Sequence, residues 1–246
     1  MIDFDSGITQ VIEDLSHEIK SGLRFDMEGG IILENTKNID LAIKAQAQLA
    51  AALKEAGYFT LAAKVVAENK KYIATRLSEF GIDEFGATTQ DTLYGLLRLD
   101  YGKMQTVSSK LIPGVKQKIF DSVITGKSYS QLLQDIDKSL ESFKNEALTQ
   151  LRTIRREFRQ NVEDNIAEEI GFGYEKDDIW EYAGAPLQSN SHQECIWALT
   201  QKTGSPYFTD EEKRLFQSGG LYPHTEPRWN CQHNFFITDK KYKEVF

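Results

Sequence analysis

The stretch Ser130-Gln131-Leu132-Leu133-Gln134-Asp135-Ile136-Asp137-Lys138-Ser139-Leu140 opens the longest periodic run of the chain. The run continues through Phe143, Ala147, Leu148, Leu151, Ile154, Phe158, Val162, Ile166 and Ile170. Apolar residues recur at spacings of three and four, the repeat that keeps one helical face buried. Gly126 precedes it, and Ser128 or Ser130 supplies an N-cap. The spacing predicts one long helix, or two in series, to about residue 170.

Upstream, the same reading gives more helix. Asp40 to Leu53 is rich in strong helix formers, and Gly57 is its stop. Leu61, Val65, Val66, Tyr72, Ile73 and Leu77 keep helical spacing up to Gly81. A third helix is predicted over Asp91–Leu111, ended by Pro113, whose ring disfavours helix in the residue before it. A short helix follows over Val115–Ile124. Gly29-Gly30, Gly86 and Gly126 mark further breaks.

Past Gly171 the composition changes. Aromatics, Gly and Pro become frequent and helical periodicity stops. Ile179-Trp180-Glu181-Tyr182 and Asn234-Phe235-Phe236-Ile237-Thr238 read as strands. One short helix is predicted between them, with Thr209 and Glu212 three apart as a capping box and Gly219-Gly220 as its end. The fold class is therefore mainly α: a long-helix body over 1–171 followed by a small α+β module over 172–246.

The 246 residues carry a net charge of −8. That balance argues against a molecule that coats nucleic acid, because phosphate binding needs a cationic surface. No apolar run approaches the roughly 20 residues of a membrane span. The start, Met1-Ile2-Asp3-Phe4-Asp5, lacks a basic-then-apolar leader, so synthesis and folding are expected in the cytoplasm.

Both cysteines and three of the four histidines crowd into the C-terminal module. His192-x-x-Cys195 and Cys231-x-His233 form two ligand pairs that could close a tetrahedral Zn2+ site. A disulfide between the cysteines, or simple packing, accounts for the same residues. His224 is a substitute ligand, and His17 is expected on the surface of the first helix. Cys195 with His233 also suggests a Cys-His nucleophile pair, and hence a hydrolase or nuclease. Against an enzyme stands the lack of a Gly-rich phosphate loop, a Gly-x-Ser-x-Gly elbow or a His-Glu-x-x-His helix.

Arg152, Arg155, Arg156 and Arg159 fall along one stripe of the long helix. They are candidates for contact with a partner protein or locally with DNA, the latter being the basis of a DNA-binding accessory reading. Pairing with Glu146, Glu157 and Glu163 within the chain is the alternative.

The order of these features resembles a known family. Arg152-Thr153, Trp180, Tyr182, Gly184, Cys195, Phe208-Thr209, Glu212, Gly219-Gly220 and Asn230-Cys231-Gln232-His233 are similar to the motif series of the minor head proteins of tailed bacteriophages, the Mu F-like head morphogenesis group. Ile124-Thr125-Gly126-Lys127-Ser128 with Leu132, Leu133 and Ile136 looks like that group's lead-in helix. The resemblance spans about residues 120–238. Family members often carry Asp-x-Arg-Thr before the first cysteine, where this chain has Ser189-Asn190-Ser191-His192-Gln193-Glu194. The resemblance implies a structural virion protein, not an enzyme, bound to portal or inner capsid in few copies. It implies action in head assembly, or carriage inside the head, with no membrane partner and an oligomeric setting in the virion.

Overall fold

A computed structural model describes residues 4–173, 178–184, 193–200, 206–218 and 233–241. Within them the protein is mainly helical, with long helices first and a small strand-containing module at the end. None of these helices is long and apolar enough to cross a membrane.

The helices are α1 (Phe4–Gly22), α2 (Thr36–Glu55), α3 (Tyr58–Glu79), α4 (Ala87–Ile124) and α5 (Tyr129–Glu169), then the shorter α6 (Gln193–Thr200) and α7 (Asp210–Ser218). Strands β1 (Met27–Glu28) and β2 (Ile31–Ile32) form a hairpin, and β3 (Asp178–Ala183), β4 (Tyr207–Thr209) and β5 (Asn234–Lys241) an antiparallel sheet in the order β4-β3-β5. Two compact units interleave along the chain. The first comprises residues 1–65 and 101–150, the second 66–100 and 151–246. The sequence boundary at 171/172 separates composition; the compact units instead group the C-terminal strands with stretches of α3, α4 and α5.

In the first unit, α1 buries Ile8, Val11, Ile12, Leu15 and Ile19, one face at helical spacing. The β1–β2 turn is Gly29-Gly30, both at positive φ (57° and 81°), as a two-residue hairpin turn requires. Asn38 anchors this hairpin to α2. Its buried carboxamide donates to the Asp26 and Leu33 carbonyls (2.8 and 2.7 Å) and accepts from the Asp26 N–H (2.9 Å). A buried amide with its donors and acceptor engaged costs little, whereas an orphaned one is expensive. Ser128 is the N-cap of α5, its Oγ accepting from the Gln131 N–H at 3.3 Å; of the two serines proposed, the structure uses this one.

The helices predicted over Asp91–Leu111 and Val115–Ile124 are one helix, α4, with Pro113 inside it. Proline removes an N–H and crowds the preceding turn, which normally breaks a helix. Here Val107, Leu111, Val115, Ile119 and Val123 are buried on both sides of it, every fourth residue, while Pro113 itself faces outward. The stripe packs continuously through the missing hydrogen bond, and packing outweighs the local penalty.

A second correction concerns the C-terminal module. One short helix was expected between its strands; the chain forms α6 and α7, with β4 between them. Cys195, Ala198 and the half-buried Leu199 give α6 an inner face at i, i+3 and i+4. Three residues of that pattern are too few to stand out in the sequence. The capping box is as expected: Thr209 Oγ1 accepts from the Glu212 N–H (3.2 Å) and Glu212 Oε2 accepts from the Thr209 N–H (2.9 Å). Thr209→Ala should therefore lower stability by about 1 kcal/mol, read as a shift of the urea midpoint at unchanged slope. An unshifted midpoint would show that the box contributes nothing.

Candidate functional site

The sheet of the second unit is built around two residues of β3. Trp180 pairs with Phe208 on one side and Ile237 on the other, and Tyr182 pairs with Phe235. Trp180 and Tyr182, two apart, are both buried. The rings of Phe208, Phe216 and Phe235 stand 5.1–5.7 Å from one another, and Tyr182 lies 4.8 Å from Phe235. Tilted and edge-to-face pairs at such distances add to the burial of the rings. Trp197 of α6 stacks over Phe216 at 6.1 Å.

Cys195 and His233 meet the same phenol. Cys195 Sγ lies 3.4 Å from Tyr182 Oη, and the His233 ring stacks on Tyr182 at 5.5 Å. Both are buried, and a cysteine closed off in this way is a poor nucleophile. The arrangement suits packing better than hydrolysis. His192 and Cys231, the other members of the proposed zinc set, lie outside the described residues, as do Gly219, Gly220 and His224. Among the described residues, no three His, Cys, Asp or Glu side chains gather as a metal would need. Gly184 follows β3 in an exposed position, and His17 is exposed on α1.

The arginine stripe is engaged internally. Arg155 reaches Glu68 on α3 (3.9 Å), Arg156 lies 3.7 Å from Glu157, and the Arg159 guanidinium covers the Tyr72 ring at 5.0 Å. All four arginines are partly buried. Of the three acids expected to hold them, Glu146 instead pairs with Lys110 (2.6 Å) and Glu163 with Arg76.

That last pair is the polar centre of the unit, and it escaped the sequence reading. The Glu163 side chain is 0% exposed. Its Oε1 accepts from Arg76 Nε and its Oε2 from Arg76 Nη2, both at 2.6 Å, and the Tyr72 hydroxyl donates to Oε1. Such a fork-to-fork contact is the strong form of an Arg–carboxylate pair. Arg76 also reaches Glu79 and covers the Phe80 ring at 4.9 Å. Burial works against the arginine's charge, but the two carboxylates outweigh it and raise its pKa above the ordinary value.

Glu163 has a further role, because α5 holds the outer edge of β5. Glu163 Oε2 accepts from the Ile237 N–H (3.3 Å) and Gln160 Oε1 from the Phe235 N–H (3.1 Å). With its carboxamide oriented to satisfy both neighbours, Asn234 donates to the Arg156 carbonyl (3.2 Å). Residues 156, 160 and 163 are i, i+4 and i+7, one face of the helix. Side chains of α5 therefore stand where another strand would pair, which closes an edge that would otherwise invite association.

A second polar cluster lies against Trp180. Lys213 is 5% exposed; its Nζ sits 3.2 Å from the Trp180 ring centroid and 2.6 Å from Asp164 Oδ1. Burial pulls its pKa below the ordinary lysine value, against the opposing pull of Asp164 and Asp210. Trp180 Nε1 donates to Asp210 at 3.2 Å, and Arg214 pairs with Asp210 at 2.7 Å. A shallow cavity of about 340 Å³ opens beside this cluster. Its cations and carboxylates already satisfy one another, which is the pattern of a structural network.

Two phenols resist ionisation. Burial, helped by Glu146 for Tyr58 and by Glu163 for Tyr72, raises both pKa values well above the ordinary 10.0. The unfolded chain would lose these protons near pH 10 while the folded chain keeps them. Their contribution to stability is thus full below pH 10 and is lost as the pH climbs above it. Absorbance titration should find at least two of the ten tyrosines, Tyr58 and Tyr72 among them, silent until the fold opens. All ten titrating together near pH 10 in folded protein would contradict this.

No family model matches the chain, and neither the curated proteins nor the solved structures include a match to it.

Proposed function

We propose that this protein is a structural component of a tailed-phage virion, a minor head protein that acts by protein–protein recognition at the portal or inner capsid. One observation carries the reading. Among the described residues of the motif series, Trp180, Tyr182, Cys195 and Phe208 share one core, His233 stacks on Tyr182, and Thr209 with Glu212 caps the helix that supplies Phe216 to it. Each has a packing, pairing or capping role there, and none presents a reactive group to an open cleft. Residues with such roles build a rigid surface, which suits recognition of a partner better than catalysis. The acidic balance of −8 fits a protein that must not spread over packaged DNA.

The direct test is co-expression with the portal protein of the same phage. A complex that survives size exclusion and moderate salt is expected. Two separate peaks at micromolar concentration would remove portal binding from the proposal.

Within this reading, His192, Cys195, Cys231 and His233 form a structural zinc site. Cys195 and His233 converge on the Tyr182 phenol, and that hydroxyl is placed to donate to a metal-bound thiolate, the kind of outer contact such ligands use. Protein purified without chelator should contain about one zinc per chain, with the thiols protected until chelation. Metal-free folded protein with two titratable thiols would end the zinc proposal and leave the packing role intact.

A further inference from the structure

The end of α3, the start of α4 and the turn between them enclose a cavity of about 590 Å³. Leu77, Phe85 and Leu93 are its buried floor, and Ile73 is half-covered on one wall. Tyr94, 48% exposed, stands on the other. Every residue that lines it belongs to the second unit.

Its shape is that of a seat for a helix. On α3 the lining positions 70, 73, 74, 77 and 78 follow i, i+3, i+4, i+7 and i+8, the stripe with which one helix buries another. Ala74 and Ser78 are small and exposed on that stripe, and small side chains let a second backbone approach closely. From Lys70 to Ser78 the wall is about 12 Å long, at about 1.5 Å of rise per residue. That length accommodates roughly two turns, enough for apolar positions at i, i+3, i+4 and i+7.

The groove is also polarised. Lys70 lies at one end, its Nζ 5.9 Å from the Tyr94 ring centroid, and the exposed Asp83 and Glu84 lie at the other. A helix carries partial positive charge at its N-terminus and partial negative charge at its C-terminus. The two ends of the groove thus match a helix that starts at Asp83 and Glu84 and finishes at Lys70.

We propose that this groove receives an amphipathic helix of a partner protein, apolar at i, i+3, i+4 and i+7 and basic at its N-terminal end. This is the helix-in-groove mode of recognition. It stands on the geometry of α3 and α4 and does not depend on the virion reading, so either can fail alone.

The probe is a stapled helical peptide of about three turns, with leucines on the apolar face, lysines at the N-terminal end and glutamates at the C-terminal end. Its partner probe has the two charged ends exchanged. Fluorescence anisotropy with the full chain should give saturable binding of the first and weaker binding of the second, by about fivefold or more. Ala74→Arg, at an exposed position, should abolish binding, and Asp83→Lys with Glu84→Lys should reverse the preference between probes. Absence of saturable binding, equal affinity for both probes, or indifference to Ala74→Arg would overturn the proposal. Self-association of the free protein that Ala74→Arg abolishes would overturn it too, by giving the groove to a second copy.

Discussion

Glu163→Ala should be among the most damaging single substitutions in this chain, at about 3 kcal/mol, because it removes a fully buried carboxylate and leaves the partly buried Arg76 to the half-exposed Glu79. The loss has three parts. Arg76 loses both hydrogen bonds at 2.6 Å, the Tyr72 hydroxyl loses its acceptor, and the Ile237 N–H on the edge of β5 loses its partner. Glu163→Gln keeps the shape and one good acceptor but removes the charge, so it should cost less. The double variant Glu163→Met with Arg76→Met should recover much of the loss, since replacing both members of a buried pair is often near neutral. Urea unfolding followed by tryptophan fluorescence reads all three, as Trp180, Trp197 and Trp229 all lie in the C-terminal part. A double variant as damaged as Glu163→Ala would mean that the pair itself is not what the carboxylate supports. The same variant should free the β5 edge, and faster aggregation than in Thr209→Ala at equal unfolded fraction would report that.

Trp180→Ala comes next, again at about 3–5 kcal/mol, the usual range for truncating a buried aromatic. Trp180 is 2% exposed and joins both neighbours of β3. Its loss would also uncover the Lys213 ammonium that rests on its face and leave Asp210 without the indole donor. Water reaching Lys213 should bring its amine back toward the ordinary lysine pKa, because burial is the main cause of its depression. Competitive labelling of that lysine at graded pH would follow the change. A variant within about 1 kcal/mol of wild type, with the labelling profile of Lys213 unmoved, would contradict the packing described.

The helical body was readable in sequence because its signal is local. Leu132, Ile136, Leu140, Phe143, Ala147, Leu151, Ile154, Phe158, Val162 and Ile166 are all buried, at the spacing that the periodicity gives. The capping box at Thr209 and Glu212 was legible for the same reason: its two partners are three residues apart. Pro113 misled because local chemistry says break, while the buried stripe on either side of it, every fourth residue, says continue; in α4 the stripe decides.

Glu163 was legible only as a local partner for the arginine stripe, among Gln160-Asn161-Val162 before it and Asp164-Asn165 after. Its partner Arg76 is 87 residues away, and no window on the sequence joins them. One signal was available. Glu163 with Ile166 and Ala167 is i, i+3 and i+4, so the carboxylate shares an arc with two buried apolar residues. A charged residue on a buried arc demands a buried partner. The arginine stripe was read from spacing alone, which shows that four guanidinium groups share a side but not that Glu68 and Tyr72 stand opposite Arg155 and Arg159. The sequence also singled out Cys195 and His233; what it could not supply was the Tyr182 phenol against which both rest.

The proposed place in a phage particle is open to quantitative mass spectrometry of DNA-filled particles, purified on a density gradient and compared with the lysate they came from. Peptides from this chain are expected in the particles, in a few copies against many of the shell protein. Abundant protein in the lysate with none in the particles would contradict it.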